Sequence, residues 1–232
     1  MSEDGIAIEA LGSVKVVHLD DGKANAFSKA RIATIKAAVL EAEADDATGA
    51  VVVHGRPGCF SGGFDLGVMR GGDAGAILDL VSDGGDLVRT CYGAGVPVVA
   101  ACTGHAVAAG ALLLLGCDMR VGADLDAKIG LPEVTIQMAL PQWAISMATE
   151  RLSRRHLQRA TANGRMTGPA EAVDVGYLDE VVAPDAVLDR AVEIATELAT
   201  TLHNPSYRAI VAAQRGPLLE RLDAEIAGDR II

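Results

Sequence analysis

Two segments of this chain repeat one order of events: a short apolar run, a glycine turn, then a helix-forming stretch. The first goes from Val51-Val52-Val53-His54-Gly55 to Gly62-Gly63-Phe64-Asp65-Leu66, and the second from Val98-Val99-Ala100-Ala101-Cys102-Thr103-Gly104 to Ala108-Ala109-Gly110. Apolar runs that do not alternate with polar residues suit strands buried on both faces. Such strands alternating with helices predict an α/β fold with a mostly parallel sheet. Each turn also brings backbone N–H groups to a strand end and a helix start, where they lack helical acceptors and suit an anion or oxyanion. Tight packing turns look the same in sequence, so the pattern alone does not assign a function.

The other elements read as follows. Ile6, Ile8 and Leu11, then Val14, Val16, Val17 and Leu19, predict a hairpin turning at Gly12-Ser13. Ser28 suits the N-cap of a helix to about Ala44, with Ile32, Ile35 and Val39 at helical spacing. Residues 55–63 read as a glycine-rich loop, 74–92 as a helix, 96–102 as a buried strand, and 106–115 as a helix apolar on every side. Short strands are expected at 119–121, 128–130 and 180–182, and helices at 140–151 and 153–162. Gly168-Pro169 opens a further helix that Gly176 ends. From Pro184 the chain reads as helical, broken near Asn204-Pro205 and Gly216-Pro217. Two parts are therefore expected: a core over 1–183 and a helical segment over 184–232, whose apolar face covers the core or a neighbouring subunit.

Charge narrows the partners. With 31 acidic and 20 basic residues among 232, the formal charge is −11, against the basic surface that nucleic acid or an anionic membrane demands. Half the residues are hydrophobic but only 3% are aromatic, so the core must be aliphatic. Cys59, Cys91, Cys102 and Cys117 form no C-x-x-C pair, and the five histidines lack ligand spacing, so no metal site is expected. The acidic start, Ser2-Glu3-Asp4, is unlike a signal peptide, and Pro97, Gly104 and Gly110 interrupt the uncharged stretch 96–115. A reduced, soluble, cytoplasmic protein is expected.

Side-chain nucleophiles are scarce: Ser61 has neither an adjacent base nor a G-x-S-x-G context. Glu133 stands out. It lies in Gly130-Leu131-Pro132-Glu133-Val134-Thr135-Ile136-Gln137-Met138, where apolar neighbours would desolvate a carboxylate and raise its pKa towards that of a base working near neutrality. A surface-loop glutamate is the alternative.

Several segments, in order, resemble the crotonase (enoyl-CoA hydratase/isomerase) superfamily. They are Lys23-Ala24-Asn25-Ala26-Phe27-Ser28, Phe60-Ser61-Gly62-Gly63-Phe64-Asp65-Leu66, the block from Gly104 to Gly116-Cys117-Asp118, Gly130-Leu131-Pro132-Glu133, and Thr167-Gly168-Pro169 with Gly176-Tyr177-Leu178-Asp179. The resemblance implies a crotonase-like α/β spiral of ββα units with a C-terminal helical layer. It implies a coenzyme A thioester as substrate, with no separate cofactor and no metal. It implies an oxyanion hole from the amides of Phe64 and Ala109, with Glu133 as the proton-transfer group. Around the substrate it places Lys23, Ala24, Ala26, Gly63, Asp65, Leu66, Leu112 and Trp143. Where the family usually has glycine, this chain has Ala109, tolerable if the local φ is negative.

Hydratases of that family use two glutamates, and here the helix position of the other is Leu112. A single carboxyl group can still take a proton from the α carbon of a 3-enoyl thioester and return it to the γ carbon. The resemblance therefore points first to a 3,2-enoyl-CoA isomerase. A hydratase drawing a second acid from Asp65, Asp73 or Asp79 is the alternative, as is an acyl-CoA-binding protein without catalysis. Lys23 and Arg70 are the candidates for meeting CoA phosphates. A homotrimer or hexamer is the family habit, with the 184–232 segment as its oligomerisation surface.

Overall fold

Residues 4–229 are described in the computed structural model of the chain. β1 (Ile6–Leu11) and β2 (Val14–Leu19) form the expected antiparallel hairpin, Ile6 opposite Leu19. α1 (Lys29–Ala44) starts where the Ser28 hydroxyl accepts the Arg31 amide at 3.2 Å, and buries Ile32, Ile35 and Val39. There follow β3 (Ala50–Gly55), β4 (Gly58–Ser61), α2 (Leu66–Met69), α3 (Ala74–Tyr92), β5 (Val98–Cys102), β6 (Gly104–Val107) and α4 (Ala109–Gly116). Next come β7 (Met119–Ala123), β8 (Ile129–Gly130), a 3-10 turn at Glu133–Ile136, α5 (Gln142–Arg151), α6 (Leu157–Ala160) and α7 (Pro169–Val175). β9 (Glu180–Val182), α8 (Val187–Thr201) and α9 (Asn204–Asp229) complete the described residues.

The main sheet has six strands in the order β1-β2-β3-β5-β7-β9, parallel from β2 onward. A second sheet, β4-β6-β8, is parallel throughout. Both faces of the main sheet are covered, which is why its central strands are apolar without alternation. On one face Val51, Val53, Val98 and Ala100 meet α1, α3 and α4. On the other, Val52, Val99 and Val121 meet Val187, Ala191, Ile194 and Ala195 of α8. The apolar face of α8 thus covers the chain's own sheet, and α9 lies across α3 and α5 through Leu222 and Ile226.

Four local expectations are corrected. Residues 106–115 are not one helix: β6 takes Ala106 and Val107 before α4 begins at Ala109. A buried apolar run serves strand or helix equally, and here β6 pairs with β4 and β8 first. The 55–63 loop contains β4 for the same reason. Within 153–162 only α6 is α-helical. Gly216-Pro217 does not break α9, because contacts on both sides hold its axis: Arg215 donates to Asp118 at 2.6 Å and Arg89 to Asp223 at 2.7 Å. The uncharged stretch 96–115 is divided among β5, β6 and α4, and among the described residues no helix is long and apolar enough to cross a membrane. The four cysteines are free and buried.

One buried side chain ties the two sheets to the 20–27 loop. Asn25 is fully buried with φ +49°. Its Nδ2 donates to the carbonyls of Leu19 (2.8 Å), Cys59 (3.2 Å) and Phe60 (3.2 Å), and its Oδ1 accepts the Asp21 amide (3.0 Å). Asparagine tolerates the left-handed region better than most residues, so one residue meets both demands. Replacing it by alanine leaves buried carbonyls unpaired at a strained position. Asn25→Ala is expected to lower the unfolding free energy by about 3 kcal/mol, measured by urea denaturation.

Candidate active site

A cavity of about 360 Å³ opens between the turn after β4, the turn after β6, the 3-10 turn, α3 and α5. Its wall is almost wholly apolar; the ionisable side chains on it are Glu133 and Asp229. Gly62, Phe64, Ala108, Leu112 and Glu133 line it together with Met69, Ile77, Val81, Leu140 and Trp143.

The two glycine turns that line it touch one another. A β-carbon built on Gly63 (φ +98°) would lie 3.1 Å from Ala108 Cβ and 3.5 Å from the Ala109 nitrogen. Phe64 follows Gly63, so its amide and that of Ala109 belong to touching turns. Neither amide donates to a protein acceptor among the described residues. For Ala109 the reason is general: it is the first residue of α4, and first-turn amides have no helical acceptor. The positive φ of this turn falls on Ala108 (φ 54°, ψ −122°), a conformation that favours glycine, and not on Ala109. That strain is of order 1–3 kcal/mol. The Ser61 hydroxyl sets the first turn from below, donating to the Asn25 carbonyl at 2.8 Å and accepting the Gly63 amide at 3.2 Å.

Glu133 opens the 3-10 turn, which Gln137 closes in the left-handed region. The residue is 9% exposed, and its Oε2 is buried without a hydrogen-bond partner among the described residues. Burial pushes its carboxyl up to about 7, opposed only in part by its own backbone N–H. Leu112 is buried on the apolar helix α4 and shares the cavity wall.

Leu66, Leu112 and Trp143 thus line the cavity with Phe64 and Glu133, and Gly63 and Ala109 sit in its turns. Lys23, Ala24, Ala26 and Asp65 do not line it. Lys23 and Ala24 are exposed beside the first turn, where the Gly62 amide donates to the Ala24 carbonyl at 2.7 Å. The Ala26 carbonyl accepts from Arg31, and Asp65 caps α2 by accepting the Gly67 amide at 2.7 Å. Asp73 likewise caps α3, and Asp79 accepts from Lys29 at 2.8 Å. Arg70 is exposed at the end of α2. Asn25, Ser61, Tyr177 and Asp229 were not expected at the site. The buried Tyr177 hydroxyl has no partner among the described residues; its pKa is raised first by burial and then by the Glu133 charge.

The profile of the family described as Enoyl-CoA hydratase/isomerase matches residues 9–230. The chain belongs to the enoyl-CoA hydratase/isomerase family. A probable enoyl-CoA hydratase of Rhizobium meliloti (strain 1021) is 30% identical over 86% of this chain and 77% of its own length. Mitochondrial enoyl-CoA delta isomerase 1 of Mus musculus is 30% identical over 83% of this chain and 67% of its own length. The crystal structure of an enoyl-CoA hydratase/isomerase family protein from Pseudomonas syringae superposes with a TM-score of 0.93 at 36% identity, covering 98% of this chain and 97% of that one. The crotonase-like α/β fold implied by the motifs is therefore the fold of this chain, and its relatives carry both hydratase and isomerase names.

A carboxyl raised by burial costs stability once ionised. Free glutamate ionises near ~4.3, so from there to about pH 7 folded Glu133 keeps a proton that the unfolded chain has lost, and stability falls as pH rises through that window. Glu133→Gln is expected to match the parent protein at the acid end of the window. Above pH 7 it should be more stable by up to about 3 kcal/mol, read from thermal melts across pH.

Proposed function

We propose that this protein is a 3,2-enoyl-CoA isomerase. One carboxyl group, Glu133, takes a proton from the α carbon of a 3-enoyl thioester. The amides of Phe64 and Ala109 receive the negative charge that then collects on the thioester oxygen. The same carboxyl group returns the proton to the γ carbon, which leaves the double bond conjugated with the thioester. Donors that meet the oxygen more strongly in the dienolate than in the neutral ester lower the barrier, each by roughly 3 kcal/mol.

The observation that carries the reading is Glu133, a buried carboxyl group raised to about 7 on the wall of a cavity that the two turns bearing the unbonded amides also line, with Leu112 on the same wall. Adding water calls for a second acid at the reacting end, and Asp65, Asp73 and Asp79 are engaged elsewhere. Apolar walls keep water from the dienolate. The substrate brings its own coenzyme A, so no further cofactor enters. Lys23 and Arg70, exposed near the first turn, are proposed to meet its phosphates. A homotrimer or hexamer assembled through the 184–232 segment belongs to the same proposal.

The test is Glu133→Gln with 3-hexenoyl-CoA. Turnover is expected to fall by a factor of ~10³ or more while saturated acyl-CoA still binds. In the parent protein, kcat/KM should rise with pH to a plateau above about pH 7, since the ionised carboxylate is the base. Unchanged turnover in the variant would remove Glu133 from the reaction. Loss of the conjugated absorbance of 2-enoyl-CoA in water, at a rate above that of isomerisation, would assign the protein to the hydratases, the name its Rhizobium relative carries.

A further inference from the structure

Helix interiors disfavour glycine, yet α3 carries two side by side, Gly84 and Gly85, both buried. Neither has a positive φ, so the backbone does not call for them. Close approach does. A β-carbon on Gly84 would overlap Cε1 and Cζ of Phe64, and one on Gly85 would stand 3.0 Å from Cε2 of Trp143. Phe64 and Trp143 are the aromatic residues of the cavity wall among the described residues. Each ring rests where α3 lacks a side chain.

The two rings are held differently. Trp143 is buried, and Ile226 of α9 shares its place, 2.9 Å from a β-carbon on Gly85. Phe64 is only half-buried. At 3.6 residues per turn, position 84 falls on the same side of α3 as Ile77 and Val81, and both of those line the cavity. The Phe64 ring therefore stands in for a missing side chain on the cavity face of the helix. Its backbone is fixed by other contacts. The Gly63 carbonyl accepts the Phe27 amide at 2.8 Å, and the Asp65 amide donates to the Phe27 carbonyl at 3.1 Å. Gly63 also lies against Ala108. With the peptide held on both sides of Phe64, its side-chain torsions are the soft coordinates. A methyl group at position 84 would turn the ring away from α3, over the face that lines the cavity, because a packed helix does not yield.

We infer that Gly84 sets the room available to the acyl chain by seating the Phe64 ring in α3, so that longer chains fit only while that seat is open. The inference rests on the acyl-CoA reading of the cavity and deepens it, since it names the residue that governs chain length. It adds no chemical step. Gly84 is a positioning residue that acts through Phe64.

The experiment is calorimetric binding of saturated butanoyl-, hexanoyl-, octanoyl- and decanoyl-CoA to the parent protein, to Gly84→Ala and to the double variant Gly84→Ala/Phe64→Leu. None of these ligands can isomerise, so the result does not depend on Glu133 chemistry. Gly84→Ala is expected to bind butanoyl-CoA much as the parent does and decanoyl-CoA ~10-fold or more weakly. Adding Phe64→Leu should restore the longer chain, because the smaller side chain no longer needs the seat. An equal loss for every chain would overturn the inference: the thioester oxygen is common to all four ligands, so such a loss would point to a displaced Phe64 amide. A double variant that restores nothing would overturn it as well. Thermal melts report folding. Should Gly84→Ala not fold, Phe64→Leu alone carries the test: a profile shifted towards longer chains is expected, and an unchanged profile overturns the inference. A protein that shows the expected profiles but does not isomerise 3-hexenoyl-CoA would refute the isomerase reading and leave this inference standing.

Discussion

The turn after β4 and the turn after β6 press against one another, and the chemistry of the site depends on that contact. No β-carbon intervenes at Gly63, and Ala108 accepts a left-handed conformation so that α4 can start directly beyond it. Strain there is held by what surrounds it. Ser61 and Asn25 bond the first turn from beneath, and the β4-β6 pairing fixes the distance between the turns. Two amides are left without protein acceptors as a result, pre-positioned before any ligand arrives. Donors fixed in advance need no reorganisation when charge develops, which is what the proposed reaction would draw on.

The carboxyl group acquires its character from packing rather than from a charged neighbour. Glu133 lies at the start of a tight 3-10 turn whose carbonyl is bonded by the Gln137 and Met138 amides. The all-apolar helix α4 supplies Leu112 to the same wall. Desolvation then dominates, and the carboxyl group is raised to about 7. Through α9 the fold brings a second carboxyl group, that of Asp229, to the same cavity wall.

Much of this could be read from residues in order. Ser28 marks the start of α1 by its hydroxyl, and Gly176 ends α7 in the left-handed region, so local chemistry sufficed for both. Glu133 stands out by its apolar sequence neighbours, although Val134 and Ile136 are exposed and its carboxyl group is buried on the cavity wall that Leu112 of α4 shares. The failures share a cause. Residues 106–115 are apolar throughout, and only pairing with β4 and β8 decides that Val107 is strand and Ala109 helix. Pro217 looks like a helix break, but Arg215 bonded to Asp118 and Arg89 bonded to Asp223 are long-range contacts that override it. The motif around Asn25 does not disclose that residue's role, since its partners Cys59 and Phe60 lie far along the chain. Asp229 gave no local signal at all: a helix-end aspartate becomes a cavity residue only once α9 is laid across α3 and α5.

The account turns on one carboxyl group carrying one proton between two carbons of the same substrate. That is read most directly by following the proton: 3-hexenoyl-CoA deuterated at the α carbon, turned over in ordinary water, with the product analysed by mass spectrometry and NMR. A single shuttling carboxyl group predicts 2-hexenoyl-CoA that retains deuterium at its γ carbon in a measurable fraction of turnovers. A product carrying only solvent hydrogen at that carbon, or a 3-hydroxyacyl product in its place, would contradict it.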